Sequence, residues 1–317
     1  MTSRSQNAGK CPDGLILLNK KSGVTSFQAL GEVKKTFSTR KAGHTGTLDK
    51  FATGLLLVLV GRASKLSFLF NNFSKEYRGT ILFGEETDTL DPEGEVIATG
   101  PIPSREEVEA VLDAFRGNIL QSPPAYSALH IDGHRAYELA RQGKVPEMKK
   151  RPITIHELEI VSWTAPEAVI RVKVSAGTYI RSLARDIALA AGTRARLSAL
   201  ERISVGPFHL EEAFPSVQLT DLRPIDNKLF ETLSLPALFL EDKKAEDFIH
   251  GKALELIIQN EQGATMPECG AIENGGTEIE NAGVFRKNVS KNTENAFLGV
   301  ITRKKEKWGY GYVYAGN

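Results

Sequence analysis

Across 317 residues the chain is 41% hydrophobic and 25% charged, an ordinary globular composition too long for one core of usual size, so two domains are expected. Lys+Arg total 40 against 39 Asp+Glu, and the net charge of +1 argues, taken alone, against a nucleic-acid partner. Cys11 and Cys269 are the only cysteines and neither sits in a C-x-x-C, which speaks against a disulfide scaffold and a structural zinc. The amino-terminal MTSRSQNAGK has no apolar stretch, and the longest apolar run, Leu55 to Val60, is far too short to span a bilayer. A cytoplasmic protein without a membrane segment is expected.

In chain order, Gly14 to Asn19 reads as a buried strand, and Thr25-Ser-Phe opens a helix with Phe27, Leu30, Val33 and Phe37 near helical spacing. Tyr77 to Phe83 alternates as a strand. Ser104-Arg-Glu-Glu107 is a capping box, followed by the apolar stripe Val108, Val111, Leu112 and Phe115. Residues 168 to 174 alternate as a half-buried strand, and Tyr179 to Ala190 has the composition of a helix. No repeat of 20 to 50 residues occurs, which disfavours solenoids and propellers. The fold class expected is α+β. From residue 236 onward come a short helix around Glu241 to His250, a strand Ala253 to Ile258, a polar mobile loop over 259–296, and two strands, Phe297 to Thr302 and Gly309 to Tyr314.

Cutting the chain where its character shifts redistributes the charge. Residues 236–317 hold 10 basic and 12 acidic residues, whereas 141–196 hold 11 basic and 5 acidic. A basic segment with Arg141, Lys144, Lys149, Lys150 and Arg151 thus hides inside a neutral total; a solvated charged face is its bland reading.

The densest chemistry lies in Lys41-Ala-Gly-His-Thr-Gly-Thr-Leu-Asp49-Lys, where glycines surround one imidazole and one carboxylate ahead of a buried strand. Composition alone leaves Asp49 as a turn cap and His44 as an ordinary loop histidine. The loop is no P-loop, and no G-x-S-x-G or H-E-x-x-H is present. His130 and His134 lack further ligands nearby, so no metal is expected. Asp88 and Asp91 sit in a Thr-Asp-Thr-Leu-Asp-Pro-Glu-Gly stretch and read as turn formers.

Seven segments in order carry a resemblance: Gly43-His-Thr-Gly-Thr-Leu-Asp49 with Ala52-Thr-Gly-Leu55, Lys75-Glu-Tyr77, Gln121-Ser-Pro-Pro-Ala-Tyr-Ser-Ala128, Arg135-Ala-Tyr-Glu-Leu-Ala-Arg141, Gly177-Thr-Tyr-Ile-Arg-Ser-Leu183 and Val205-Gly-Pro-Phe208. Over about residues 11–215 the chain resembles the bacterial tRNA pseudouridine-55 synthase, or TruB, family. The resemblance implies a pseudouridine synthase fold, a mixed, mostly antiparallel sheet with flanking helices and a central cleft, over 1–235. It also implies an insertion at about 124–152 and a small β-rich PUA-like appendage over 236–317.

The implied activity is isomerisation of one uridine in the TΨC loop of tRNA, with neither metal nor organic cofactor. The implied roles are Asp49 as nucleophile, Arg181 as its facing cation, and Tyr77 as the stacking and proton-removing ring. Tyr179 and Leu200 would line the cleft, and His44 would take the place of extruded bases. Arg141, Lys144, Lys149, Lys150 and Arg151 would meet T-arm phosphates; Arg303, Lys304, Lys305 and Lys307 would extend that contact. A monomer without a protein partner is expected. Other stem-loop RNAs, an RNA-binding module without turnover, and a metabolic enzyme using Asp49 for acid/base work are the alternatives. Lys50 stands where the family usually has proline, beside the nucleophile and suited to lower its pKa or to reach a phosphate.

Overall fold

The computed structural model describes residues 13–127, 129–131, 134–136, 148–252, 279–287, 296–304 and 307–314. The chain runs β1 (Gly14–Lys20), α1 (Ser26–Thr36), β2 (Ala42–His44), β3 (Thr53–Val60), a 3-10 segment (Gly61–Leu69), β4 (Lys75–Phe83), β5 (Glu85–Thr87), β6 (Val96–Thr99) and α2 (Arg105–Leu112). It continues through β7 (Gly117–Gln121), β8 (His130–Ile131), β9 (His134–Arg135), β10 (Arg151–Thr164), β11 (Glu167–Val174), α3 (Ile180–Ala190), β12 (Ala195–Val205) and β13 (Phe208–His209). The remainder is β14 (Arg223–Pro224), α4 (Asn227–Thr232), β15 (Ala237–Leu240), α5 (Asp242–Ile249), β16 (Ile279–Arg286), β17 (Ala296–Lys304) and β18 (Lys307–Val313). The expected strand Ala253 to Ile258 lies outside the described residues.

Ten strands form one sheet in the order β14-β1-β3-β12-β4-β11-β10-β7, with β13 added on β12 and β2 on β3. Only β3 and β12 pair in parallel; every other contact in this sheet is antiparallel. The expected mixed, mostly antiparallel sheet is therefore present. A second sheet, β15-β16-β17-β18, occupies the C-terminal part.

The uninterrupted apolar run in β3 has a packing reason. Leu56, Val58 and Val60 join Ile16, Leu18, Leu30, Val33 and Phe37 under α1. Leu55, Leu57 and Leu59 join Leu15 and Leu17 on the other face, against Phe230, Phe285 and Phe297. Side chains alternate across a strand, so a strand covered on both faces must be apolar throughout. Each such leucine contributes on the order of 1.5–3 kcal/mol by leaving water.

Two expectations change. Phe27 is not part of the apolar stripe: it is 73% exposed, with the Lys34 ammonium 5.1 Å from its ring centroid. At about 100° per residue, Leu30 and Phe37 share one line along the helix while Phe27 and Val33 fall on opposite sides of it, and the sheet covers the Val33 side. The expected loop over 259–296 contains β16, which lies between β15 and β17. Its Ala282 and Val284 face one apolar cluster and Phe285 another, a second strand buried on both faces.

Candidate active site

The loop between β2 and β3 carries Asp49, and its backbone is held at several points. The Ser26 hydroxyl, at the start of α1, donates to Leu48 O at 2.9 Å and accepts from Leu48 N at 2.8 Å. Arg202, fully buried in β12, donates through Nε to Leu55 O (2.8 Å) and through Nη2 to Gly46 O (3.2 Å). Gly54 has φ +103°, and any Cβ there would stand 2.4 Å from Arg202 O, so this position demands glycine. Gly54 thus lets β3 and β12 close on each other beneath the loop.

Arg181 enters from the first turn of α3, where a cation runs against the helix dipole. Two carboxylates compensate. Its Nη2 donates to Asp49 Oδ1 at 3.0 Å, and its Nε lies 2.9 Å from Asp49 Oδ2, an ion-pair contact without hydrogen-bond alignment. Nη1 donates to Asp91 Oδ2 at 3.3 Å and to Thr89 O at 2.8 Å, and Nη2 also reaches Tyr126 O at 3.1 Å. Arg181 is buried, whereas the Asp49 side chain keeps 35% of its surface exposed. One carboxylate is therefore fixed on one side and open on the other.

The turn-forming reading of Asp91 captures half of its role. Asp91 Oδ1 does accept from Thr89 Oγ1 (2.6 Å) and Glu93 N (3.0 Å) as turn residues do, but its other oxygen serves Arg181. Burial raises its pKa, a push opposed by the Thr89 hydrogen bond and by Arg181.

Tyr77 in β4 and Leu200 in β12 are buried in one apolar cluster with Leu48, Ala52 and Ile180. The Asp49 loop packs on that cluster through Leu48 and Ala52. Tyr179 caps α3, and Gln121 secures it twice, accepting from Tyr179 N at 2.8 Å and donating to Tyr179 O at 3.0 Å. Burial raises the Tyr179 phenol pKa, opposed by a hydrogen bond with Ser127. His44 ends β2; burial and then Arg202 hold its pKa below the ordinary histidine value, and its buried Nδ1 has no hydrogen-bond partner among the described residues. Both effects favour the uncharged ring.

Lys149, Lys150 and Arg151 are exposed at the entry to β10. Arg141, Lys144 and Lys305 lie outside the described residues. Arg303, Lys304 and Lys307 pair by backbone within β17 and β18. Lys50 neither contacts Asp49 nor stands free: its ammonium pairs with Glu93 at 3.0 Å. Sequence reasoning missed Lys20. Its buried Nζ donates to the carbonyls of Val24 (2.7 Å), Lys21 (3.0 Å) and Lys50 (3.4 Å). Burial pulls its pKa down to about 8, with Asp49 opposing that fall and Arg202 adding to it. A charged residue closing an apolar strand was the only available signal.

Among the described residues no three His, Cys, Asp or Glu side chains gather as metal ligands. None of the described helices is long and apolar enough to cross a membrane. The arrangement supports chemistry by one oriented, accessible carboxylate on a loop that packs, through Leu48 and Ala52, against the cluster holding Tyr77 and Leu200.

Residues 34–180 match the family described as TruB family pseudouridylate synthase (N terminal domain). The tRNA pseudouridine synthase B of Borreliella burgdorferi (strain ZS7) is 46% identical over 204 residues, covering 63% of this chain and 72% of that protein. The protein of the same name from Francisella tularensis subsp. novicida is 46% identical over 232 residues, 72% of this chain and 76% of that one. Among solved structures, an H/ACA RNP bound to a substrate RNA containing 2'-deoxyuridine superimposes with a TM-score of 0.61 at 21% identity, covering 96% of this chain and 85% of that one. A Cbf5–Nop10–Gar1 complex gives 0.59 at 20%, covering 94% and 82%. Those two likenesses are of fold; the sequence relationships carry the family, and the chain belongs to the TruB family of pseudouridylate synthases.

Proposed function

We propose that this protein converts uridine 55 in the TΨC loop of tRNA to pseudouridine. The observation that carries the reading is the Arg181 ion pair on a half-open Asp49, whose loop packs through Leu48 and Ala52 on the cluster that holds Tyr77 and Leu200. The reaction breaks the bond from ribose C1′ to N1, turns the base, and joins C1′ to C5; C5 gives up a proton and N1 gains one. Asp49 attacks as carboxylate, at ribose C1′ or uracil C6. Once esterified, Asp49 is neutral, and Asp91 remains as the counter-charge to Arg181. That second carboxylate spares the site a buried, unpaired guanidinium in the intermediate.

Tyr77 stacks on the target base, a contact of roughly 1–3 kcal/mol, and removes the C5 proton; Leu200 keeps water from the detached base. Tyr179 lines the cleft. The base lies inside a folded loop and is turned out to be reached, and the neutral, flat His44 fills the space it leaves. Arg141, Lys144, Lys149, Lys150 and Arg151 meet phosphates of the T arm. Residues 1–235 supply the chemistry, and 236–317 form a PUA-like appendage that extends the RNA contact. The protein acts as a cytoplasmic monomer.

Asp49→Ala is expected to abolish pseudouridine formation on an unmodified tRNA transcript while tRNA binding persists. A mutant that still forms product, or a wild type that modifies a transcript whose target uridine has been replaced, overturns the reading.

A further inference from the structure

Between Asp13 and Asp49 the chain has six basic residues, Lys20, Lys21, Lys34, Lys35, Arg40 and Lys41, against a single acid, Glu32. Glu32 is engaged elsewhere, accepting from Val217 N at 2.8 Å. None of Lys34, Lys35, Arg40 and Lys41 has a carboxylate within ion-pairing distance among the described residues, although most cations of the main sheet do. Phe27 is the most exposed large apolar side chain among those residues.

At about 100° per residue, Phe27, Gly31, Lys34 and Lys35 fall within one arc of about 100° on α1, adjoining the arc of the buried Leu30, Val33 and Phe37. Nothing stands within 4 Å of where a Gly31 Cβ would be, so the surface is open beside Phe27, whose ring carries the Lys34 ammonium over one side only. Both ends of this surface run into the catalytic loop. Ser26, next to Phe27, holds Leu48 by two hydrogen bonds, and Leu48 precedes Asp49. Arg40 and Lys41 lead into β2, which ends on His44, with Lys41 O fixed by Gly61 N at 2.7 Å. Lys34 and Lys35 at the C-terminal turn favour the helix dipole. That accounts neither for Arg40 and Lys41 nor for an aromatic ring left in water.

We propose that the outer face of α1 and the turn after it form a second RNA contact surface, on which Lys34, Lys35, Arg40 and Lys41 meet backbone phosphates and Phe27 stacks on an unpaired base. The inference rests on the tRNA reading above and adds a surface separate from the 124–152 insertion. Cations and ring act differently on binding, which gives the test two signatures.

Affinity for an unmodified tRNA transcript is measured by filter binding against salt concentration for the full chain, for Lys34→Gln/Lys35→Gln/Arg40→Gln/Lys41→Gln, and for Phe27→Ala. Losing four phosphate contacts is expected to flatten the log–log salt slope by roughly 3 and to weaken binding at least about tenfold at low salt. Phe27→Ala is expected to weaken binding by roughly tenfold with the slope unchanged. The pair Lys34→Gln/Lys35→Gln serves if the fourfold variant fails to fold, with about half the change in slope. A folded variant with wild-type affinity and slope overturns this surface and leaves the enzyme reading standing; a wild type without salt-dependent tRNA binding overturns both.

Discussion

Asp13 and Asp49 are both carboxylates gripped by an arginine, yet their surroundings lead to opposite behaviour. Asp13 receives the Arg62 backbone N–H, the Arg62 Nε at 2.8 Å and the Tyr314 hydroxyl, and its side chain is 13% exposed. Burial pushes its pKa up, but the hydrogen bonds from Tyr314 and Arg62 outweigh that and hold it below the ordinary value. The Arg62 guanidinium in turn lies 4.1 Å from the centroid of the Tyr314 ring. This pair joins the start of β1 and the 3-10 segment to the end of the second sheet. Asp49 has no such enclosure: its donors come from Arg181 on one side, and the rest of the carboxylate is accessible. Saturating a carboxylate with donors makes a joint, whereas leaving one side open keeps it available for chemistry.

The largest test of that contrast is Arg181→Lys. It keeps the charge but removes the planar group that reaches Asp49, Asp91, Thr89 O and Tyr126 O together, and kcat is expected to fall by about 100- to 1000-fold, the equivalent of roughly 3–4 kcal/mol, in single-turnover pseudouridine formation. Wild-type kcat would show that orientation by a planar group is dispensable.

A second test uses the lysine near Asp49, which has no counterpart near Asp13. Lys20 has a folded pKa of about 8, below its ordinary 10.5, so between those values the unfolded chain binds the extra proton and stability rises with pH. Lys75, buried and also lowered to about 8, adds to the same rise. Lys20→Met is expected to reduce the stability gained between pH 8 and 10 by up to about 3 kcal/mol, read from urea midpoints. An unaltered profile would show that Lys20 titrates normally.

Tyr314→Phe removes one donor from Asp13 and is expected to lower stability by about 1–2 kcal/mol with pseudouridine formation unchanged, as measured by thermal unfolding and product yield. Lost activity at intact stability would move this joint into the chemistry. The smallest effect is expected for Lys50→Ala, since the Lys50–Glu93 pair is half exposed: less than about 1 kcal/mol in the unfolding midpoint. A larger loss would mean that the pair fixes the Asp49 loop.

Local patterns made much of the fold readable. The capping box at Ser104 and Glu107 forms with both hydrogen bonds, because each partner lies three residues from the other. The strands at 14–20, 75–83 and 167–174 follow their apolar spacing. The link between Asp49 and Arg181 spans 132 residues, and no periodicity connects them; motif resemblance alone brought them together. Asp91 stayed hidden because Asp-Pro-Glu-Gly is sufficient to make a turn without any arginine. The β16 strand escaped notice because Asn281 and Gly283 interrupt its apolar residues, and burial on both faces removes alternation. Lys50 shows the reverse limit: a departure from pattern was visible, but its partner Glu93 lay beyond reach of sequence spacing.

The cluster joining Leu15, Leu17, Leu55, Leu57 and Leu59 to Phe230, Phe285, Phe297 and Tyr314 has a further consequence. Neither sheet can leave the other without wetting that seam, so the β1 and β3 amides should exchange hydrogen for deuterium only when the terminal strands open with them. The molecule should therefore melt in a single cooperative step, in which the ten-stranded sheet inherits the durability of the four-stranded one.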